Sequence, residues 1–356
     1  MIVYYTDLVF QMIYIQSDSL RTVAFFYTFV SALIEIITRM KNTILAGLLC
    51  TLFTMSAHAQ EKFVPFEYGN MDEWVTRRIH ESGIIGGNTK LLYEVGPTKE
   101  INGNVAYVNQ GGSPWGNSNV MAKVMGIVKT NTSVYPEDRG DGKCAKLETH
   151  IESVKVLGIV NITVVASGSL FLGDMKEPIT STKEGEAALN AGIPFTQRPK
   201  ALRYDYKVKV SGEPNRIRLT GFSKRATIPG KDAAIMTCFL QRRVEDARGN
   251  VFAKRVATAS VRYDESCDWQ NGATYPLMYG DIENKEGYVP ELMKLGTGGY
   301  HTRNSKGESV KIQEIGWAAP NEEPTHLIVQ FTSSVGGAFI GSPGNTIWVD
   351  NVGLVY

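Results

Sequence analysis

Asp350 sits in the middle of the closing segment "NTIWVDNVGLVY" (345–356). Counted by twos, Trp348, Asp350, Val352, Leu354 and Tyr356 share one face, while Ile347, Val349 and Val355 share the other. Both faces are apolar, so the segment reads as a buried strand. A bare carboxylate there costs several kcal/mol unless a partner neutralises it. Other acids offer a second chemistry. Glycoside hydrolysis needs two carboxylates about 5–10 Å apart across the scissile bond. Glu148, Glu152 and Glu314 stand on strand-like segments, but no local signature selects a pair. His80, His150, His301 and His326 lack zinc spacing. "GIIGGNTK" (83–90) misses the phosphate-loop pattern, and "GTGGYH" (296–301) reads as a flexible loop. Neither a GxSxG elbow nor a cysteine–histidine signature is present.

The elements that must position these residues are strands. "YDYKVKV" (204–210) sets Tyr204, Tyr206, Val208 and Val210 against Asp205, Lys207 and Lys209, and the turn "SGEPN" leads to "RIRLTGF" (216–222), which predicts a hairpin. "AIMTCFLQRR" (234–243) and "NVFAKRVATASVRY" (250–263) flank the turn "EDARG" and predict another. Further strand patterns cover 143–150, 167–173, 311–317 and 326–334. Helical periodicity is confined to short pieces at 71–78 and 183–190. Roughly ten strands separated by turn signals predict an all-β sandwich or jelly roll. Residues 83–119 and 264–309 read as long loop insertions. Trp74, Tyr206 and Trp348 lie in patterned segments and are assigned to the core.

The N-terminal part reads differently. "MKNTILAGLLCTLFTMSAHAQ" (40–60) has a basic start at Lys41, an apolar run from Ile44 to Met55, and Ala57 and Ala59 flanking His58. That predicts a secretory signal peptide over 40–59. Residues 1–39 read as an extension upstream of the true start, the alternative being a membrane segment over 22–38 that carries Glu35. Residues 60–356 are then one exported β domain. The net charge of +1 gives no electrostatic case for nucleic acid or an anionic membrane surface, and no membrane insertion of the mature domain is expected. Cys144, Cys238 and Cys267 are too few for a disulfide framework, though one bridge stays open, and Cys238 reads as a buried strand residue.

In chain order, "FEYGNMDEW", "SPWGNSN" (113–119), "YPEDRGDGKCAKLET" (135–149), "GIPFTQRPKALRYDYKVK" (192–209) and "EPTHLIVQFTSSVGGAFIGSPGNTIWVDNVGLVY" (323–356) accompany these patterns. Together they resemble the putative carbohydrate metabolism domain of exported Bacteroidetes proteins. The resemblance implies a jelly-roll β-sandwich similar to carbohydrate-binding modules, placed in the periplasm or at the cell surface, with a poly- or oligosaccharide as partner. It also implies a reading of Asp350: such modules hold a structural Ca²⁺ with an aspartate of the last strand and a glutamate of the first. Here these would be Asp350 and Glu67, with Asp138 and Asp141 completing the set. The alternative is a carboxylate hydrogen-bonded to backbone N–H groups or to an arginine. Sugar binding by such modules rests on aromatic faces, for which Trp115, Trp269, Tyr275, Tyr279, Tyr300 and Trp317 are the candidates, with Tyr288 beside them. The expected function is non-catalytic glycan binding in polysaccharide use. The rivals are a glycoside hydrolase, with paired carboxylates, and a structural or adhesin-like module, with a flat apolar patch.

Overall fold

The computed structural model describes residues 28–35 and 61–356, apart from 108, 110, 111, 125, 157–159, 182–186, 222, 223 and 338, with backbone alone at 154–156, 160 and 161. The chain divides into two units, Met1–Glu61 and Lys62–Tyr356. In the first, residues 28–35 are α-helical. The predicted leader over 40–59 and the rest of 1–39 lie outside the described residues. Among the described residues no helix is long and apolar enough to cross a membrane.

The second unit is the predicted all-β structure. Its first large sheet runs Cys267–Pro276, Ala201–Lys209, Thr346–Val355, Gly142–Glu148, Val134–Arg139, with Phe63–Pro65 also on Thr346–Val355. Its second runs Leu189–Ala191, Ser169–Met175, His326–Thr332, Ala234–Glu245, Val251–Tyr263, Met278–Tyr279. Beside local hairpins, each sheet pairs strands from distant parts of the chain, Ala201–Lys209 with Thr346–Val355 and Ser169–Met175 with His326–Thr332, as the crossovers of a jelly roll require. The two sheets close over one core. Leu202, Tyr204, Val208, Ile347, Val349 and Leu354 enter it from the first; Met236, Cys238, Leu240, Val329 and Phe331 enter from the second. Cys238 is fully buried there, as its strand pattern predicts, and Cys144, Cys238 and Cys267 are all free.

The C-terminal strand is buried along most of its length, but its core-facing side is not the one that counting by twos gives. Ile347 and Val349 point into the core, and so do Val352 and Leu354, which have the opposite parity. A bulge reconciles them. Arg203 pairs with Gly353 and Asp205 with Asp350, leaving two residues opposite Tyr204. Asn351 sits at φ 51°, a left-handed conformation that asparagine tolerates better than most residues. The core-facing side of the strand therefore changes parity at Asn351, while Val355 on the other side is also buried. Asp350 and Trp348 point outward, so the assignment of Trp348 to the core does not hold. Its Nε1 donates to Glu137 at 2.8 Å on the outer surface.

Other expectations also change. The 71–78 piece is not helical: Trp74–His80 is a strand, paired with Thr89–Val95 and Lys99–Asn102. Its buried residues include Arg77, which hid the period-two pattern. Of the 183–190 piece, the part before residue 187 is not described, and Leu189–Ala191 is strand. The 201–209 strand does not pair with 215–218, which joins Ala226–Pro229 and Ile340–Gly341 in a small separate sheet. The hairpin around "EDARG" has the predicted pairing, from Ala234↔Tyr263 to Glu245↔Val251. The stretch 83–119 contains three strands, and 264–309 opens with Cys267–Pro276, an edge of the first sheet.

Candidate functional site

A cleft of about 590 Å³ opens on the outer face of the second sheet. Alternation along the strands builds its floor. Where Met236, Cys238, Val329 and Phe331 point into the core, their neighbours Thr237, Phe239, Gln330 and Thr332 line the cleft. One wall comes from two hairpins, Val120–Val124 with Ile127–Asn131 and His150–Val156 with Val160–Ala166. The opposite wall is the segment from Glu291 to His301, and the loop around Val335 closes one end. The walls are mainly aliphatic and the floor carries hydroxyl and amide groups.

Polar atoms without partners gather here. Among the described residues, Asn131 Oδ1, Ser167 Oγ, Thr297 Oγ1 and His301 Nδ1 are buried atoms with no hydrogen-bond partner, and all four residues line the cleft. Tyr107 Oη, Arg216 Nε and Asn345 Nδ2 share that condition elsewhere. An unsatisfied buried polar atom costs roughly 1–3 kcal/mol. Four around one cavity mark a place where a hydroxylated ligand, or water in its absence, completes the bonding.

The wall holding Thr297, Tyr300 and His301 is positioned from behind. Gly296 N–H donates to Glu314 Oε2 at 2.7 Å, and Arg255 grips both Glu314 oxygens, each at 2.5 Å. Gln241 Nε2 adds a bond to Oε1 at 2.7 Å. These bonds more than offset the burial that would raise the Glu314 carboxyl, and hold it below the usual range. Gly298 takes φ +88°, and a Cβ there would sit 2.5 Å from the Tyr300 ring. That ring meets Phe239 edge-on at 6.1 Å, and burial pushes its phenol up to about 12. On the other wall Lys129 Nζ lies 3.0 Å from Glu81 and 2.8 Å from Glu152, with His150 3.5 Å from Glu152. Burial alone would raise Glu152, but His150 and Lys129 hold it below the usual carboxylate range.

Of the aromatic candidates, Tyr300 alone lines this cleft. Trp115 is 1% exposed, packed edge-on against Phe66 with Nε1 bonded to Glu67 O, so it presents no face to a ligand. Its Gly- and Ser-rich surroundings suggested a loop; they belong to the short strand Trp115–Asn117. Tyr275 stacks on Tyr204 at 5.2 Å at the core margin. Tyr279 bonds Pro199 O and lies beneath Arg198. Trp317, with Nε1 3.2 Å from Glu283, packs with Tyr288 on Leu292 and Met293. Trp269 is covered by the Arg139 guanidinium at 3.7 Å.

The residues proposed for calcium are not brought together. Asp350 Oδ2 accepts from Arg139 Nη1 at 2.5 Å, and Oδ1 from the Asn351 N–H at 2.7 Å. Asp205, directly opposite, shares Arg139 at 2.9 Å. The neutralising partner is therefore an arginine of Val134–Arg139, occupying the place a cation would take. Glu67 is exposed in a turn, Asp138 pairs with Lys143 at 2.6 Å on the surface, and Asp141 is exposed at a hairpin tip. Among the described residues no group of three or more His, Cys, Asp or Glu side chains could hold a metal. These four donors do not fit a Ca²⁺ shell, which takes six to eight oxygens.

Residues 94–355 match the model of the family described as "Putative carbohydrate metabolism domain". The chain belongs to that family. No curated protein matches it. Among solved structures it is similar to a putative glycoside hydrolase from Bacteroides thetaiotaomicron, at 18% identity and a TM-score of 0.39, covering 74% of this chain and 78% of that one. In this carbohydrate metabolism domain every cleft-lining residue, from Ser118 to Phe339, falls inside the matched span. Tyr300, one of the aromatic candidates of the sequence, stands in this lining. The sequence did not reveal Asn131, Ser167, Thr297 and His301 as a set, because only Thr297 and His301 share a segment and the other two lie far from it in the chain.

Proposed function

We propose that this domain binds a poly- or oligosaccharide in the cleft, as an exported protein of the periplasm or cell surface serving polysaccharide use. The observation that carries the reading is the convergence of Asn131 Oδ1, Ser167 Oγ, Thr297 Oγ1 and His301 Nδ1, all unpartnered, on one cavity. Sugar hydroxyls donate and accept, so one ligand class can satisfy all four atoms. The aliphatic walls and the Tyr300 ring suit pyranose C–H faces. Export rests on the leader pattern of 40–59. Binding without cleavage is favoured because Glu152 is held ionised by Lys129 and His150, which leaves it unsuited as a general acid.

A hydrolase reading has one observation in its favour, away from this cleft. Glu94 and Glu177 share Arg77 Nη1 at 2.8 and 3.2 Å. Burial pushes Glu94 up to about 7 against the pull of Arg77, while Glu177 also accepts the Tyr107 and Met121 N–H groups. Two carboxyl groups in unlike environments are the arrangement of an acid–base pair.

The test is a panel of soluble glycans scored for both binding and release of reducing ends. The binding reading expects retention without cleavage. It also expects Thr297→Val and His301→Ala to weaken binding at least about tenfold, or about 1.4 kcal/mol, with melting temperature little changed. Cleavage abolished by Glu94→Gln establishes the hydrolase reading instead. Neither retention nor cleavage of any glycan sinks both.

A further inference from the structure

We infer that the cleft selects neutral glycans and rejects those bearing carboxylate or sulfate groups. The inference rests on the glycan reading of this cleft and names its ligand class. Its ground is the charge and bonding sense of the lining. Glu152 and Glu291 both line the cleft. Lys129 is the one lysine among the described lining residues, and its ammonium is already shared by Glu81 at 3.0 Å and Glu152 at 2.8 Å. A ligand anion would have to compete with two carboxylates for one cation. Two residues along the same strand, Asn131 offers Oδ1, an acceptor that needs a donor. A hydroxyl supplies that donor; a carboxylate or sulfate does not.

Of the arginines nearby, Arg216 donates to Val335 O and Pro229 O and lies outside the lining, with its unpartnered Nε buried there. Arg255 is held by both oxygens of Glu314, and Arg243 is spent on Gln241 Oε1, Thr302 Oγ1 and Ala191 O. Neither lines the cleft. The remaining unpartnered groups, Ser167 Oγ, Thr297 Oγ1 and His301 Nδ1, exchange hydrogen bonds with hydroxyls without demanding charge. The aliphatic walls, among them Val120 and Ile162, offer an anion nothing in place of its lost water. Like charges facing each other across a site reject the wrong partner as effectively as good contacts hold the right one.

The test is affinity electrophoresis of the full chain in gels containing soluble starch, galactomannan or arabinoxylan as neutral probes, and polygalacturonate or chondroitin sulfate as acidic ones. It is run at low and moderate salt, with Thr297→Val and Glu152→Gln alongside. The expected result is retardation by at least one neutral glycan, acidic glycans at least about tenfold weaker, and loss of retardation in Thr297→Val. Glu152→Gln should narrow the gap at least about threefold by removing the repelling charge. Acidic glycans bound as well as neutral ones, with retardation lost in Thr297→Val, overturn the selectivity and leave the cleft as a glycan site. A gap that Glu152→Gln leaves unchanged, in a variant melting like the parent, overturns the carboxylate as its origin. No retardation by either class overturns the glycan reading itself.

Discussion

The two outer faces of the sandwich use the same chemical alphabet to opposite ends. On the first sheet, Asp350 and Asp205 share Arg139, Asn351 and the Gly272 N–H also donate to Asp205, and Asn271 Oδ1 takes the remaining side of Arg139 at 2.6 Å. The Arg139 guanidinium also covers the Trp269 ring at 3.7 Å, so that aromatic face is already used. In the walls over the second sheet, hydroxyls, an amide and an imidazole face a cleft and lack partners. Residue type does not separate the two faces; Trp269 looked like a sugar platform and Thr297 like loop filler. The state of satisfaction separates them. A polar group completed within the fold stabilises it, and one left incomplete awaits something from outside.

The largest test of this contrast lies behind the cleft wall. Arg255 is fully buried, and its loss in Arg255→Met leaves Glu314 uncompensated at 4% exposure. Breaking a buried pair by removing one partner costs about 3–5 kcal/mol. Because Glu314 also holds Gly296, glycan binding should fall together with the denaturation midpoint. A stable variant with intact binding would dissolve the link between this ion pair and the cleft.

Arg139→Met is the counterpart on the other face. It leaves Asp350 and Asp205 opposed across the bulge, both largely buried. Arg139 keeps 19% exposure, so screening limits the loss to about 2–3 kcal/mol in chemical denaturation. Glycan affinity should not change. A variant that loses binding would show that the two faces are not independent.

A smaller effect should appear with pH. Burial raises Asp350 to about 6, against the attraction of Arg139. Its carboxyl unfolded titrates near ~3.9. Between these values the folded chain holds more protons than the unfolded one, so this group makes stability fall as pH rises from about 4 through 6. Asp205 acts in the other direction and at lower pH. Asn351, Gly272 and Arg139 hold it below its ordinary value despite burial, and the stability it adds is lost as pH falls below about 4. Asp350→Asn should flatten the slope between pH 4 and 6 by about 1–2 kcal/mol, measured by urea unfolding at each pH. An unchanged slope assigns the proton elsewhere, with Glu94 the next group to examine.

The sandwich was legible because its strands alternate cleanly, as Tyr204, Val208, Met236 and Cys238 do. It became illegible where a charge entered a buried position. Arg77 in Trp74–His80 broke the alternation, so the segment read as helix. The bulge had a local cue, since Asp-Asn in mid-strand fits a left-handed residue at Asn351. The partner of Asp350 had none, because Arg139 is 211 residues away in the chain. The cleft is the extreme case. Ser167 and Thr297 meet only through the topology of two hairpins and a glycine-rich wall.

The smallest expected effect bears on calcium. A jelly roll that closes its last strand with a metal loses stability to a chelator, because binding free energy is part of folding free energy. Here the outward carboxylate of the bulge meets a guanidinium, and Glu67, Asp138 and Asp141 have surface positions of their own. Arginine and Ca²⁺ are alternative solutions to one electrostatic demand, and a cation placed beside Asp350 would be repelled by the one already there. Melting temperature in excess EDTA should match that in calcium to within about 1 °C, since a ΔΔG of about 1 kcal/mol already moves a domain of this size by roughly 2–4 °C. A larger fall would mean that the first sheet's face is completed from outside after all, and would erase the contrast with the cleft.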